Sequence, residues 1–304
     1  MYRILYAILY LFSLLPFFIL YGIGEFFFFI IYRVFRYRIK IVMANLERAF
    51  PEKNRKERAK IAKHFYRNLI QTFLETFKML SISEKGFDKR AVFELEEVNK
   101  KIGEGKNIVF LSGHQMNWEW GPWALARGIK IPLVGMYSRI MNNSVDRLFY
   151  KMRSRTGVIL VDITKFSTAI IRISKQQHAV GLIADQSPAG GKAVHWMNFF
   201  GEPTPFYVGP EKRAVQAKAA VFFVEFVKLR WGHYKFVPHL ITEDASQNEK
   251  FHVMLAYRDM LEEAIQRQPS NYLWSHRRWK RKYDSSWKDS WMDRVPAPDE
   301  SSFR

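Results

Sequence analysis

The chain contains no cysteine among its 304 residues. This absence excludes disulfide bonds, thiolate nucleophiles and cysteine-ligated zinc. No phosphate-binding P-loop is present either, because the string from Gly103 to Asn107 lacks the spacing and the final serine or threonine of that motif. The eight histidines contain no His-Glu-x-x-His pair. The sequence therefore predicts neither a nucleotide site nor a metal site.

Acidic residues are scarce relative to basic ones. The chain has 29 Asp and Glu against 48 Lys and Arg, a formal net charge of +19 at pH 7. A strongly basic protein favours anionic partners, and nucleic acid, an anionic membrane and an acidic protein all qualify. Because 48% of the residues are hydrophobic, a chain of this length can bury one large core.

The N-terminal segment lacks basic residues over a long apolar run. Between Ile4 and Tyr32 only Glu25 is charged, and about twenty apolar residues suffice to cross a bilayer. A cleaved signal peptide is the alternative, but no small-residue cleavage site is evident. Pro16 and the glycines at 22 and 24 interrupt the run, so a re-entrant or interfacial helix is the other reading. We predict a retained membrane anchor over residues 1–32.

A basic segment follows the apolar run. Between Arg33 and Arg67 there are twelve Lys or Arg and three Glu. Positively charged flanks stay on the cytoplasmic side, and such clusters are attracted to anionic lipid. An ordinary solvated helix face explains the part from Lys53 to Lys63 equally well. We expect the body of the protein to face the cytoplasm.

Apolar runs of strand length alternate with helix-like stretches beyond the anchor. The predicted strands are Ile108–Leu111, Ile131–Met136, Val158–Val161, Ala179–Ile183, Ala220–Val227 and Tyr234–Val237. The predicted helices include 120–126, 144–155, 165–175, 210–218 and 250–268. This alternation predicts a single α/β domain with a mainly parallel sheet and flanking helices over residues 33–283, followed by a polar tail over 284–304.

A histidine and a carboxylate stand five positions apart just beyond the first of these strands. His114 lies just past the carboxyl end of one predicted strand and Asp185 just past another, which is where ligands gather in such sheets. A histidine accepts a proton near neutral pH, and a nearby carboxylate can fix its tautomer and stabilise the imidazolium. A core histidine beside a surface glutamate is the ordinary alternative. Ser112 lacks the Gly-x-Ser-x-Gly elbow of a serine hydrolase.

Several blocks, taken in order, resemble one protein family. His114 to Glu119 fits the His-x4-Asp/Glu motif of glycerolipid-type acyltransferases, and its setting resembles the late acyltransferases of lipid A biosynthesis. The other matching blocks are Asn45-Leu46, Ala49-Phe50-Pro51, Tyr137-Ser138-Arg139 with Asn143, Asp146, Arg153, Arg155 and Gly157, Asp185-Gln186, Asn198 to Gly201, Gly209-Pro210, and Trp274 to Lys280. Matches from about residue 40 to 280 are more specific than one dyad.

The resemblance implies an acyl transfer at the bacterial inner membrane. A fatty acyl chain would move from acyl carrier protein, or from coenzyme A, to a hydroxyl of a lipid A precursor, with no other cofactor. His114 would act as the general base and Glu119 would orient it, so that no enzyme nucleophile is needed. The expected partners are acyl carrier protein, an anionic lipid acceptor and the membrane.

The remaining candidate residues are expected to bind substrate. They are Arg139, Asn117, Asn143, Asp185 and Gln186. A guanidinium grips phosphate in a planar, bidentate way, so Arg139 is the candidate for an anionic head group, with an ion pair to Asp146 or Asp185 as the alternative. Asp185 either supports the site or caps the turn before Ser187-Pro188.

Two other function classes stay open at this point. A related acyltransferase could use the same dyad on another glycolipid, phospholipid or aminolipid, because only the acceptor pocket would differ. A membrane-anchored nucleic-acid-binding protein is the non-enzyme alternative, suggested by the charge and by the Trp and Arg residues near Trp274. The basic residues begin beside an apolar anchor, so we expect no nucleic acid partner.

Overall fold

The structure, a computed structural model, describes residues 2–188 and 194–298. Its elements in chain order are α1 (Tyr2–Leu14), α2 (Phe17–Phe28), α3 (Ile39–Ala49), α4 (Arg55–Lys78), α5 (Glu84–Asp88), β1 (Ala91–Phe93), α6 (Glu96–Gly103), β2 (Ile108–Ser112), α7 (Trp120–Gly128), β3 (Leu133–Tyr137), α8 (Asn143–Ser154), β4 (Ile159–Asp162), α9 (Phe166–Ile173), β5 (Ala179–Ile183), β6 (Val194–Phe199), β7 (Glu202–Tyr207), α10 (Gly209–Gln216), β8 (Ala220–Arg230), β9 (His233–Thr242) and α11 (His252–Arg267). A π-helical segment, Phe29–Val34, continues α2.

A seven-stranded sheet with the order β1-β9-β8-β2-β5-β3-β4 forms the centre. Five of its six neighbouring pairs are parallel, and β8 with β9 is the antiparallel pair. Every residue of β2 is buried. A central parallel strand is covered on both faces, which is why β2 is a continuous apolar run in the sequence. The predicted α/β class with a mainly parallel sheet is confirmed.

All six predicted strands occur in this sheet, with boundaries that shift by up to five residues. β1 and the antiparallel hairpin of β6 and β7 were not predicted from the sequence. β1 has only three residues. Pro203 and Pro205 lie within β7 and obscure the strand pattern, since proline is confined to edges and short ribbons of sheet.

The longest helix, α4, begins at a capping box. The side chain of Asn54 accepts from the backbone N–H groups of Lys56 and Glu57, and the Glu57 carboxylate accepts from the Asn54 N–H. These bonds satisfy amide donors that have no partner within the helix. The C-terminal half of α4 is mostly buried. The two N-terminal helices both pack against α4, and α1 also contacts α8.

The predicted anchor over residues 1–32 forms two helices, with the break at Pro16. Phe17–Val34 is long and apolar enough to cross a membrane, while α1 is shorter. Proline disrupts a helix that would otherwise continue, because it lacks the N–H and clashes with the preceding turn. The role of this segment as a membrane anchor stays a prediction.

The segment predicted as a polar tail, 284–304, is described as far as residue 298. Met292 and Asp293 pack against the domain, where Asp293 forms an ion pair with Arg258 (Oδ2 to Nη1, 3.0 Å) and accepts from the Asn198 N–H (2.7 Å). The first part of this segment is therefore attached to β6 and α11. The domain boundaries at 32 and 283 stay predictions.

Candidate active site

The sheet register brings two candidate residues together. Ser112 at the end of β2 pairs with Ile183 at the end of β5. His114 and Asp185 each follow two residues later, so they leave neighbouring strands side by side at the carboxyl edge of the sheet. The site therefore lies where parallel α/β sheets usually bind ligands.

Asp185 holds His114 through two hydrogen bonds. The ring Nδ1 of His114 lies 2.6 Å from Oδ1 of Asp185, and the backbone N–H of His114 donates to Oδ2 at 3.1 Å. The hydroxyl of Tyr272 also donates to this carboxylate. With Nδ1–H donating, the lone pair of the imidazole is on Nε2. Asp185 thus contacts His114 directly, which is the arrangement that a supporting role requires, while its contact with substrate stays a prediction.

His114 and Asp185 each favour the charged form of the other. Burial opposes the imidazolium form of His114, but the charge and hydrogen bond of Asp185, with a smaller contribution from Glu119, raise its pKa. Burial likewise opposes ionisation of Asp185, but the imidazole and the backbone amide of His114 hold the pKa of this carboxyl below its usual range. Asp185 is therefore a buried anion that makes His114 more basic.

The opposite nitrogen of the imidazole points to a more open side. Nε2 of Gln186 donates to Nε2 of His114 at 3.1 Å, and the Gln186 side chain is exposed. The ring of Trp118 packs edge-on against the imidazole, with 5.6 Å between centroids. A substrate hydroxyl could take the place of the Gln186 amide, which would put its proton within reach of Nε2.

The structure differs from the prediction that Glu119 orients His114. Both carboxylate oxygens of Glu119 accept from Arg153 of α8, with Nη2 to Oε1 at 2.6 Å and Nε to Oε2 at 2.8 Å. Glu119 stands immediately before the first residue of α7, and the turn there directs its side chain toward α8. Glu119 raises the pKa of His114 through its charge, whereas Asp185 contributes both its charge and a hydrogen bond.

Gly113 is required by close packing. A Cβ at this position would lie 2.6 Å from Cδ1 of Leu261 on α11. Any side chain at this position would force the buried Leu261 side chain to shift. The absence of a side chain at Gly113 therefore lets the backbone before His114 pass directly over α11.

Asn117 is buried beneath the site and bonded within the protein. Its side-chain amide donates to Oε2 of Glu75 at 3.1 Å, and its Oδ1 accepts from the Glu119 N–H at 3.2 Å. The relative exposure of Asn117 is 0%. These contacts hold the loop between β2 and α7 in place, so the structure gives Asn117 a supporting position and does not expose it to substrate.

Glu75 of α4 is the centre of this support. Its carboxylate also accepts from the hydroxyls of Tyr234 (2.7 Å) and Tyr21 (3.0 Å), and its backbone carbonyl accepts from the Trp120 indole (3.1 Å). A buried carboxylate with several donors is far less costly than an unpaired one. Glu75 thus joins α2, the loop after His114 and β9.

Two other predicted substrate residues lie on the surface. Nε of Arg139 pairs with Oδ2 of Asp162 at 2.9 Å, and the arginine side chain is 66% exposed. The predicted ion-pair partners, Asp146 and Asp185, have other hydrogen bonds. Asn143 is the exposed first residue of α8. Their contact with substrate stays a prediction.

An acyl transfer needs N–H donors for the oxyanion of its tetrahedral intermediate, and the backbone from Gly113 to Asn117 is a candidate for supplying them. Three backbone N–H groups of the loop already have acceptors within the protein: His114 donates to Asp185, Gln115 to the Gly113 carbonyl and Met116 to the Asn271 carbonyl. These amides hold the loop and would have to break their bonds to reach a substrate oxygen.

The sequence analysis assigned no role to Tyr272 or Glu75, and Arg153 appeared only as part of a matching block. Glu75 follows Leu74 in an apolar part of α4, and a carboxylate in such a run is a signal for a buried hydrogen-bonded group. Tyr272 offers no comparable signal, because it follows a polar string near the end of the domain. The Trp and Arg cluster near Trp274 is largely interior, with Trp274 and Arg278 each 1% exposed.

Comparisons with known proteins show the family of this chain. The family model described as "Bacterial lipid A biosynthesis acyltransferase" matches residues 2–281. The "Lipid A biosynthesis palmitoleoyltransferase" of Escherichia coli (strain K12) is 25% identical over 251 residues, which cover 80% of this chain and 79% of that protein. The "Lipid A biosynthesis acyltransferase" of Shigella flexneri matches with the same identity and coverage.

Proposed function

Because the chain belongs to the bacterial lipid A biosynthesis acyltransferase family and is therefore an acyltransferase, we propose that it moves a fatty acyl chain from a thioester to a hydroxyl of a lipid A precursor, with His114 as general base. The observation that supports this role most directly is the 2.6 Å contact between Nδ1 of His114 and Oδ1 of Asp185. This contact leaves Nε2 to accept the proton of the acceptor hydroxyl.

The proposed reaction is a direct transfer. Nε2 of His114 removes the hydroxyl proton while the hydroxyl oxygen attacks the thioester carbonyl carbon. The tetrahedral intermediate then collapses, the carbon–sulfur bond breaks, and the imidazolium returns the proton to the leaving thiolate. Asp185 stabilises the imidazolium between the two steps, and Glu119 adds its negative charge. No acyl-enzyme forms in this sequence.

The donor in this proposal is acyl carrier protein, with coenzyme A as the alternative carrier. The net charge of +19 supports an acidic protein partner and an anionic lipid acceptor, since opposite charge speeds encounter. The apolar segment Phe17–Val34 supports attachment to the inner membrane, and the basic residues after it support a domain on the cytoplasmic side. Arg139, Asn143 and Gln186 remain the candidates for binding the acceptor.

Mass spectrometry of lipids tests the reaction in cells. Cells that lack the gene should miss one secondary acyl chain of lipid A, the wild-type gene should restore it, and the His114→Ala variant should not. The mass difference also gives the acyl chain length. An unchanged lipid A together with an altered phospholipid or aminolipid would contradict the proposed acceptor.

Turnover by the purified protein tests the base. His114→Ala should lower kcat by about 10²- to 10⁴-fold, the usual contribution of general base catalysis. Circular dichroism should show that the variant remains folded. Near-normal turnover by folded His114→Ala would overturn the mechanism.

A further inference from the structure

We propose that the N-terminal helices attach the protein to one leaflet of an anionic membrane by lying in its surface, and that Arg33 and Arg36 hold a lipid phosphate beside them. The proposal rests on the proposed function at the membrane, and it specifies how the N-terminal helices are oriented there. The sequence left open whether the apolar segment spans the bilayer, and the contacts of α2 bear on that question.

The N-terminal end of α2 is fixed to the domain. Nζ of Lys78, at the end of α4, donates to the backbone carbonyls of Ser13 (2.6 Å), in the last turn of α1, and of Leu15 (2.7 Å), just after it. The guanidinium of Arg90 lies 3.8 Å from the ring centroid of Phe17. The turn at Pro16 is therefore part of the domain surface.

The middle and the far end of the helix are fixed as well. Tyr21 donates to the buried carboxylate of Glu75 (3.0 Å), and Glu25 forms an ion pair with Arg67 (2.9 Å). The rings of Tyr32 and Tyr66 lie 5.2 Å apart. The partners on α4 run from residue 78 back to 66, so α2 and its π-helical continuation lie antiparallel along α4.

A crossing orientation would have to break these contacts. Phe17–Val34 has 18 residues, which span about 27 Å at the rise of an α-helix. That length crosses the hydrocarbon layer only if the helix is nearly perpendicular to the membrane and is not packed along the domain. Here a helix of that length is bound to the domain at both ends. Only its outer face remains for lipid.

That outer face is apolar and continues onto α1. Phe18, Phe26 and Phe29 are 75%, 62% and 58% exposed, at spacings of eight and three residues that place them on one side of the helix. On α1 the exposed apolar side chains are Ile4, Ile8, Leu11 and Leu14. Exposed apolar helix faces of this kind insert into the boundary between head groups and acyl chains.

A basic cavity adjoins the apolar face. Tyr32, Arg33, Arg36 and Ile39 line a cavity of about 300 Å³. The carboxylates nearest in sequence are engaged elsewhere, Glu25 with Arg67 and Glu47 with Arg58. Within the described residues, the ion pairs leave Arg33 and Arg36 without a carboxylate partner. Two guanidinium groups beside exposed Phe35 match a phosphate whose acyl chains lie in the same leaflet.

Thiol labelling tests the orientation, and the chain suits it because it contains no cysteine. Single Arg3→Cys and Lys40→Cys variants of the full chain would be treated with a membrane-impermeant maleimide in sealed inverted inner-membrane vesicles. In-plane attachment predicts that both positions react from the same, cytoplasmic side. Labelling from opposite sides would overturn the proposal, while acyl transfer in the same vesicles would show that the proposed function stands.

Vesicle sedimentation tests the phosphate site. The double variant Arg33→Gln and Arg36→Gln should bind vesicles of phosphatidylcholine with phosphatidylglycerol about tenfold more weakly than the wild type, and vesicles of phosphatidylcholine alone equally well. The matched control, Lys56→Gln with Lys60→Gln on the exposed start of α4, removes the same charge. Equal losses in both variants would overturn the local site.

Discussion

Two carboxylates flank His114, and they act on it in different ways. Asp185 is buried and follows the neighbouring strand, β5. Its carboxylate accepts a hydrogen bond from Nδ1 of the imidazole. Glu119 is only five residues from His114 in sequence, yet its carboxylate is bonded to Arg153 and contributes only its charge. Closeness in space after folding, and not closeness in sequence, decides which acid orients the base.

The largest expected effect comes from Asp185→Asn. The amide keeps the shape but can present a donor to Nδ1, which would favour the imidazole tautomer that has its proton on Nε2. We expect kcat to fall by about 10⁴-fold in turnover assays on the purified protein, as it does for the same change in a Ser-His-Asp triad. A loss smaller than that of Glu119→Gln would contradict the assignment of Asp185 as the orienting acid.

Glu119→Gln is expected to have a smaller effect on kcat. It removes a negative charge that favours the imidazolium, and one pKa unit of such an interaction corresponds to about a tenfold change in rate. The glutamine can still accept from Arg153, so the loop should stay in place. Arg153→Lys, which keeps the charge but loses the bidentate geometry, is the matched control.

The pH dependence of Glu119→Gln sharpens the same comparison. Both acids raise the pKa of His114, and the base works only when neutral, so activity falls as the pH drops through that pKa. Removing the Glu119 charge lowers the pKa. The acid limb of the kcat/KM profile should therefore move to lower pH, and a shift to higher pH would show that Glu119 does not act through its charge.

Gln186→Ala should have the smallest effect. Gln186 is exposed and donates to the nitrogen that the acceptor hydroxyl must approach. We expect KM to change by at most about fivefold, since an exposed hydrogen bond contributes little, and kcat to stay the same. Steady-state kinetics with varied acceptor would check this, and a large fall in kcat would show that Gln186 takes part in the chemistry.

The sequence alone predicted the class of fold and the position of His114 and Asp185 beyond strand ends, but it did not predict their pairing. Apolar runs identified the strands, and the rule for parallel sheets placed His114 and Asp185 beyond their carboxyl ends. The order of strands is set by long-range packing, and no local pattern shows that β2 and β5 are neighbours. That is why Glu119, the nearer acid in sequence, was expected to hold the imidazole.

The contact between Asn117 and Glu75 beneath the site also could not be predicted from sequence patterns. Asn117 belongs to the matching motif and was therefore expected to contact substrate, but it faces Glu75 of a helix 42 residues earlier in the chain. Such a contact depends on the packing of α4 under the loop. A polar residue in a motif can be kept for the shape of the loop as well as for chemistry.

The Glu75 carboxylate has a practical consequence for preparing this enzyme. A shortened chain that began after α2, the usual way to obtain a soluble catalytic fragment, would lose the Tyr21 hydroxyl that donates to Glu75. Water would enter beside the same carboxylate that positions Asn117. Kinetic constants measured on such a fragment would describe an altered loop, so the hydrophobic N-terminus belongs in any preparation meant to represent the native catalyst.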